Sequence, residues 1–443
     1  MRSFAYRGGV LHAEGVDLRA IAAEVGTPLY CYASEGIEEQ FLAFSRVFAQ
    51  VPSLVCYALK ANSNQAVVAT LARLGAGMDV VSEGELRRAR AVGVPPERIV
   101  FSGVGKTDAE LGFALDEDIL CFNVESEPEL ERLSALAAAR GRAARISIRV
   151  NPDVDAGTHA KISTGTYANK FGIPIDDAPR VYARAAELPG LRVTGVDMHI
   201  GSQITDLAPF DAATRRLAAL ARELMERGHK LEHFDVGGGL GVVYDPRSNV
   251  RPPDPAAYAD TILRHTRDLG LRLVFEHGRL IVANAGLLLT KVIYVKRGAG
   301  KTFVIVDAAM NDLVRPTLYE AFHDIVTVGE PASDALRDVV DIVGPVCESG
   351  DYLAEERPLP PVKADDLLAV MSAGAYGAVQ STTYNTRLLV PEVLVKGDRF
   401  AVVRPRQSYE QLIGLDRLPQ WLAPCAGPRR EAARVRSGRH SRG

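Results

Sequence analysis

The chain is short of cysteine, of long apolar runs and of charge of one sign, and each shortage removes a class of function. Only five of its 443 residues are cysteines (Cys31, Cys56, Cys121, Cys347 and Cys425). They are odd in number, scattered, and in no metal-ligand spacing, which points to free thiols in a reducing compartment. The longest apolar stretch, residues 280–289, is broken by Asn284 and Gly286. It is too short to cross a membrane. The amino terminus, Met1-Arg-Ser-Phe-Ala-Tyr-Arg7, lacks the apolar core of a signal peptide. A cytoplasmic location is therefore expected. The net charge of −3 offers no field for nucleic acid or an anionic membrane. That small value hides an asymmetry, because residues 427–443 carry six arginines against one glutamate. This segment has no apolar periodicity and reads as a disordered, solvated basic tail.

What is present is an ordinary globular balance, 47% hydrophobic and 24% charged, in a chain long enough for one large domain and one smaller one. A short apolar run at 53–59 is followed by a helical stretch at 64–74. The alternation recurs with apolar runs at 77–82, 98–103, 119–124, 144–152, 193–202, 233–241 and 273–279. Ser82-Glu-Gly-Glu85 is a capping-box signal at the second of the intervening helices. Alternating strands and helices imply right-handed crossovers and a parallel sheet. Eight units in this span predict a closed (β/α)8 barrel of TIM type rather than an open doubly wound sheet.

After Gly286 the pattern changes to short, β-branched runs with little helix, at 291–296, 302–307, 325–328, 339–343, 367–371, 393–396 and 399–403. These predict an antiparallel β domain, a sandwich or small barrel, over 287–420. Residues 1–30 are expected to return and pair with it. The expected division is thus a barrel over 31–286, a β domain from 1–30 plus 287–420, and the tail at 427–443.

In such a barrel, reactive groups gather at the carboxyl ends of the strands. Those ends offer Lys60, Asp79, Ser102, Asn123, Arg149, His199 with Ser202, Gly237-Gly-Gly239, and Glu276 with Arg279. Taken singly each fits an ordinary structural role: a surface lysine, an interior histidine, a glycine turn, a barrel ion pair. Taken together they supply a covalent anchor, a phosphate cradle, a partner for a ring nitrogen and a stacking group. Lys60 directly follows a buried strand, where desolvation would lower its pKa and make the amine nucleophilic. Glycines without Cβ atoms let backbone N–H groups approach an anion. A carboxylate such as Glu276 beneath a pyridine nitrogen strengthens the ring as an electron sink. No Gly-x-x-x-x-Gly-Lys-Ser/Thr pattern occurs, so a nucleoside triphosphate is not the expected ligand.

Six motifs, Tyr57-Ala-Leu-Lys-Ala-Asn62, His199-Ile-Gly-Ser-Gln203, Gly237-Gly-Gly239, Glu276-His-Gly-Arg279, Cys347-Glu-Ser-Gly-Asp351 and Ala375-Tyr-Gly377, resemble those of the diaminopimelate decarboxylase family. The resemblance runs from about residue 5 to 422. It implies a barrel followed by a β domain, as in the wider alanine racemase-like and ornithine decarboxylase-like group, and pyridoxal 5'-phosphate as cofactor. Lys60 then matches the lysine that forms an imine with the cofactor, and His199 the histidine that stacks on its ring. Ser202, Gly238, Gly239, Gly278, Arg279 and Tyr376 match cofactor contacts, and Glu276 the ring-nitrogen partner. Arg279, Arg315, Tyr319, Glu348 and Tyr376 match positions that read the far end of the substrate. Cys347 matches the proton donor, which in the family reaches the neighbouring subunit's cofactor, so a homodimer with shared sites is implied. The family usually has proline where this chain has His277, which restores a backbone N–H beside Glu276 and leaves the aim of Arg279 open.

The implied reaction is decarboxylation of meso-2,6-diaminopimelate to L-lysine and CO2, the last step of lysine synthesis. Arg315 offers a planar fork for a carboxylate, and Tyr319 adds a hydroxyl. Ornithine or lysine, lacking a distal carboxylate, would leave that guanidinium buried and unpaired. The alternative is a decarboxylase of the same fold for carboxynorspermidine or another basic amino acid. A racemase would need a weaker electron sink than Glu276 provides, and a non-catalytic cofactor carrier would not need the β domain.

Overall fold

The computed structural model describes residues 3–157, 164–165 and 170–422. It divides into two compact units at Arg406. In the first unit, eight short parallel strands form the centre: β1 (Ser53–Ala58), β2 (Gly77–Val80), β3 (Ile99–Phe101), β4 (Cys121–Val124), β5 (Ala144–Asn151), β6 (Leu191–Asp197), β7 (His233–Asp235) and β8 (Arg272–Phe275). Each pairs in parallel with the next. The ring closes where Leu273 to Phe275 of β8 pair with Ser53 to Val55 of β1. The fold is the expected closed (β/α)8 barrel.

Local chemistry starts the helices soon after the strands. Asn64, Ser82, Thr107 and Ser126 each cap a helix with a side-chain oxygen that accepts a backbone N–H. The box expected at Ser82 is half formed. Glu85 N donates to Ser82 Oγ, but the Glu85 carboxylate turns to the backbone N–H of Val81. A complete capping box forms instead at Thr107 and Glu110. Alternation along the strands sends Tyr57, Phe101 and Phe122 outward into the main core under the helices. Leu54, Cys56, Val100, Cys121 and Val274 form a separate small cluster inside the ring. The barrel interior is therefore plugged, and the chemistry must sit on its rim.

The second sheet is built around Gly286–Arg297, a 12-residue strand that leaves the barrel directly. Leu287 and Leu289 pack into one core and Leu288 and Val292 into the other, because both faces of this strand are covered. Its neighbours are Thr302–Val306, Leu29–Ala33 and Leu367–Val370. Every strand foreseen in this region forms. Two departures are informative. The sheet is mostly antiparallel, but Thr302–Val306 pairs in parallel with Asp338–Val343, and Leu29–Ala33 with Glu392–Lys396. Tyr352–Leu359 is an additional strand. Its sequence hides it, since Glu355-Glu-Arg-Pro358 breaks the alternation and Glu356 sits at φ 46°, forming an irregularity opposite Val340 and Ile342.

The first residues behave partly as expected. Leu29–Ala33 enters the second sheet, so the expected boundary at residue 31 falls within a strand of that sheet. Phe4–Arg7, Val10–Ala13 and Val16–Asp17 form a small sheet of their own, joined to the β domain by a bridge between Val10 and Gly329. The second unit, described from Gln407 to Leu422, holds one short helix, Tyr409–Ile413, capped by Ser408 and Gln411. The expected tail at 427–443 and Cys425 lie outside the described residues. Among those described, no helix is long and apolar enough to cross a membrane.

Candidate active site

At the carboxyl rim of the barrel lies a cavity of about 470 Å³. Lys60, Ser102, Arg149, His199, Ser202, Glu276 and Arg279 reach it from the barrel, Arg315 and Tyr319 from the short helix Arg315–Tyr319, and Tyr376 from a loop after Leu367–Val370. Lys60 occupies the 3-10 turn Leu59–Ala61 immediately after β1. That turn is held from both sides. Tyr57 OH donates to Asn62 O at 2.9 Å, Asn62 Nδ2 to Gly374 O at 3.1 Å, and Tyr376 N to Ala61 O at 2.7 Å. The last two bonds cross between the barrel and the loop carrying Tyr376, whose φ of 56° aims its ring at the cavity.

The Lys60 amine pairs with the fully buried Asp79 at the end of β2. Desolvation alone would lower its pKa, the trend expected from the sequence. Asp79, Glu276 and Tyr376 outweigh it and hold the amine above the usual lysine range. The expectation of a depressed lysine is thus corrected: in this structure the amine is a charged partner of Asp79, because a carboxylate one strand away dominates burial.

Glu276 lies at the cavity floor, 6% exposed. Its Oε1 accepts from Ser102 Oγ at 3.1 Å and from Asn123 Nδ2 at 3.0 Å, and Ser147 steadies Asn123 in turn. Burial, then Asp79, Asp235 and Asp197, drive its proton affinity well above that of an ordinary glutamate. Carboxylate oxygens of Asp197, Asp235 and Glu276 lie within 4.8 Å of one another. A carboxyl so placed shares a proton readily with a ring nitrogen set against it.

His199 is fixed from behind. Its Nδ1 accepts the backbone N–H of Gly238 at 3.1 Å, which places the ring proton on Nε2. Burial, Arg149 and Lys60 keep the imidazole neutral. Arg149 itself pairs with Glu125 at 3.0 Å. The glycine run does more than was read from the sequence. Gly237 and Gly239 have φ of 72° and 112°, and a Cβ on Gly238 would stand 2.3 Å from Glu276 O. Only glycine lets the ends of β6, β7 and β8 converge this closely. The Gly237 and Gly238 amides donate to Asp235 and His199, so here the run aims the imidazole. Gly278 is similarly confined, a Cβ there standing 2.8 Å from Ala61 Cβ.

The other wall is cationic. Arg279 donates from Nε and Nη2 to Ser202 Oγ at 3.2 and 2.9 Å and from Nη1 to Tyr244 OH at 2.6 Å, and lies over the Tyr376 ring. Arg315 lies 4.7 Å from the centre of the Tyr244 ring and donates to His323. Both guanidiniums are buried, 7% and 6% exposed. Their partners are hydroxyls, aromatic faces and a neutral imidazole. Among the described residues neither meets a carboxylate within ion-pair distance.

Of the expected site residues, Gly238, Gly239 and Gly278 lie behind the cavity wall rather than in it, and Cys347 and Glu348 stand apart from it. Cys347 and Glu348 are exposed on the loop between Asp338–Val343 and Tyr352–Leu359, with Tyr384 beside Glu348. His277 does not face the cavity either. It is 1% exposed and packs among Phe44, Tyr258 and Phe275, its ring 4.4 Å from that of Phe44. Sequence reasoning gave no part to Tyr244 or His323. A tyrosine five residues beyond the glycine run and a histidine eight beyond Arg315 carry no periodic signal that would have marked them.

The residues present fit a phosphorylated pyridine aldehyde. An amine, a neutral ring-facing imidazole and a proton-avid carboxyl border one cavity, and the chain around them is so close that added Cβ atoms would collide. Comparison with known proteins agrees. Residues 34–283 match the family described as "Pyridoxal-dependent decarboxylase, pyridoxal binding domain". The chain is 52% identical over 421 residues to the diaminopimelate decarboxylase of Pseudomonas aeruginosa, covering 95% of this chain and 100% of that protein. It is 48% identical over 425 residues to that of Zymomonas mobilis, with the same coverage. The chain belongs to the diaminopimelate decarboxylase family. Among solved structures it resembles the Helicobacter pylori diaminopimelate decarboxylase complexed with L-lysine, with a TM-score of 0.86 and 41% identity over 90% of this chain and 99% of that one. For the M. jannaschii enzyme, also in complex with L-lysine, the TM-score is 0.89 at 36% identity over 95% and 98%. It is accordingly a carboxy-lyase, and its cofactor is pyridoxal phosphate.

Proposed function

We propose that this chain releases CO2 from meso-2,6-diaminopimelate and yields L-lysine, in the cytoplasm, as a homodimer with shared sites. One observation carries the choice of substrate: two buried guanidiniums without a carboxylate partner face the same cavity as Lys60. An unpaired buried charge is costly, and a substrate that brings carboxylates removes that cost. Simple diamino acids bring only one.

When bound, pyridoxal phosphate supplies an electron sink for the pair left at the α-carbon as CO2 departs. Lys60 would anchor the cofactor, and in this structure its amine pairs with Asp79. His199, oriented by Gly238, would stack on the ring. Glu276 would keep a proton at the ring nitrogen, and Ser102 and Asn123 hold its carboxyl in place. Ser202, Gly238, Gly239 and Tyr376 would border the phosphate side, with Gly278 and Arg279 also beside the cofactor. Arg315 takes the distal carboxylate, with Arg279, Tyr319 and Tyr376 completing that end. Cys347 holds at Sγ the proton delivered to the product carbon, and Glu348 meets the distal ammonium. Because both are exposed and outside their own chain's cavity, each serves the partner's site.

Release of CO2 should be compared for meso-diaminopimelate, carboxynorspermidine, ornithine and arginine. We expect turnover of the first to exceed the others by at least about a hundredfold, the cost of an unmet buried polar group. No turnover of diaminopimelate, or a preference for carboxynorspermidine, would overturn the assignment.

A further inference from the structure

We propose that His323 is a positioning residue that aims Arg315 at the substrate's distal carboxylate. The inference rests on the reading of Arg315 given above and extends it by one residue. His323 is fully buried. Its Nδ1 lies 2.8 Å from Met371 O, and its Nε2 lies 2.9 Å from Arg315 Nη1. A carbonyl only accepts and a guanidinium only donates, so the tautomer is settled by its neighbours. Nδ1 carries the proton, and Nε2 presents a lone pair to Arg315.

The ring has no freedom to turn away. It stands edge-on to Tyr244, with centroids 5.4 Å apart at 79°. Its backbone carbonyl accepts from Arg357 Nη1 at 2.6 Å, and Arg357 lies over the Phe322 ring at 3.9 Å. Ala321 and Phe322 line the cavity, whereas His323 turns its side chain to Arg315 instead. It therefore acts through the guanidinium and not on the substrate.

The choice of imidazole has a physical reason. Arg315 needs an acceptor to hold it, since a buried guanidinium left to rotate would lose entropy again on every binding event. A carboxylate in that place would hold it equally well, but would neutralise the charge the substrate must find. A neutral imidazole satisfies one N–H and leaves the charge unspent. Tyr244 completes the support from the ring face.

The test uses the holoenzyme and meso-diaminopimelate. His323→Leu is expected to raise KM at least about tenfold, as for loss of a hydrogen bond to a charged group, with kcat changed less than about threefold. The cofactor's absorbance should be unchanged. His323→Gln, which keeps a neutral acceptor, should recover most of the KM effect. In an Arg315→Gln background, His323→Leu should add little, because residues acting through one another are not additive. Should His323→Leu fail to give folded holoenzyme, His323→Asn carries the same expectation, being too short to span both partners. An unchanged KM in the His323 variants, where Arg315→Gln does raise it, overturns the inference and leaves the reading of Arg315 standing. Falls in kcat and thermal stability without a KM change overturn it too. If Arg315→Gln itself leaves KM unchanged, the reading of Arg315 falls.

Discussion

His277 sits where burial and polarity conflict. Its ring lies in an aromatic layer formed by Phe44, Tyr258 and Phe275, and neither ring nitrogen has a hydrogen-bond partner. Burial drives its pKa down to about 3 from the ordinary 6.5. Because the folded value is the lower one, the unfolded chain binds the proton first as pH falls. Stability linked to this residue is therefore complete above about pH 6.5 and is lost progressively toward pH 3. His277→Leu is expected to stabilise the protein by on the order of 1 kcal/mol at pH 7, by removing two unmet polar atoms. The advantage should widen below pH 6.5 at a slope approaching 1.4 kcal/mol per pH unit. Denaturant melts of both proteins at pH 7 and pH 5 measure this, and a gap that stays constant or narrows toward pH 5 refutes it. The same residue shows what single positions conceal. In the sequence His277 stands directly beside Glu276, yet the structure turns it outward into the aromatic layer while Glu276 faces the cavity. Lys60 is the converse: its location was legible from the strand before it, but its charge state depended on Asp79, nineteen residues away.

Among elements, the decisive link is Asp351, where the loop bearing Cys347 meets the loop leading to Arg315. Its Oδ1 accepts the Met310 N–H and its Oδ2 the Val346 N–H, each at 2.6 Å. One carboxylate thus sets a segment that leads to this chain's cavity and another that carries Cys347, the proposed proton donor. Asparagine has one acceptor oxygen, so Asp351→Asn leaves one of those amides unmet at a cost of about 1–3 kcal/mol. The variant should raise KM and lower kcat together, by roughly three- to tenfold each, whereas changes at His323 move KM alone. A steady-state comparison of the two variants decides it; an effect of Asp351→Asn confined to stability would refute the shared role. Elements were the most legible scale, because hydrophobic period marks all eight barrel strands. It failed at Tyr352–Leu359, where charged residues and a left-handed Glu356 interrupt the pattern. It also could not distinguish parallel from antiparallel neighbours in the second sheet. That depends on which strands the chain returns beside, a long-range choice that local alternation does not encode.

For the whole molecule, Cys347 and Glu348 are exposed and stand apart from their own chain's cavity, so the proposed proton donor needs a cavity other than its own. The proposed two-fold dimer would supply one, since what one chain presents to its partner the partner presents in return. Lys60→Ala should be inactive and should lose the visible absorbance of the cofactor bound to its lysine. Cys347→Ala should be strongly impaired while keeping that absorbance. Mixed and allowed to exchange subunits, the two variants form heterodimers in which one site carries both substitutions and the other carries neither. Random pairing should therefore restore roughly a quarter of wild-type activity. Sites contained within one chain would predict no recovery at all, because every chain in the mixture carries a defect. Activity that stays at the level of the separate variants, with exchange demonstrated by tagged subunits, would therefore return Cys347 to its own chain's surface and require another proton donor within the cavity.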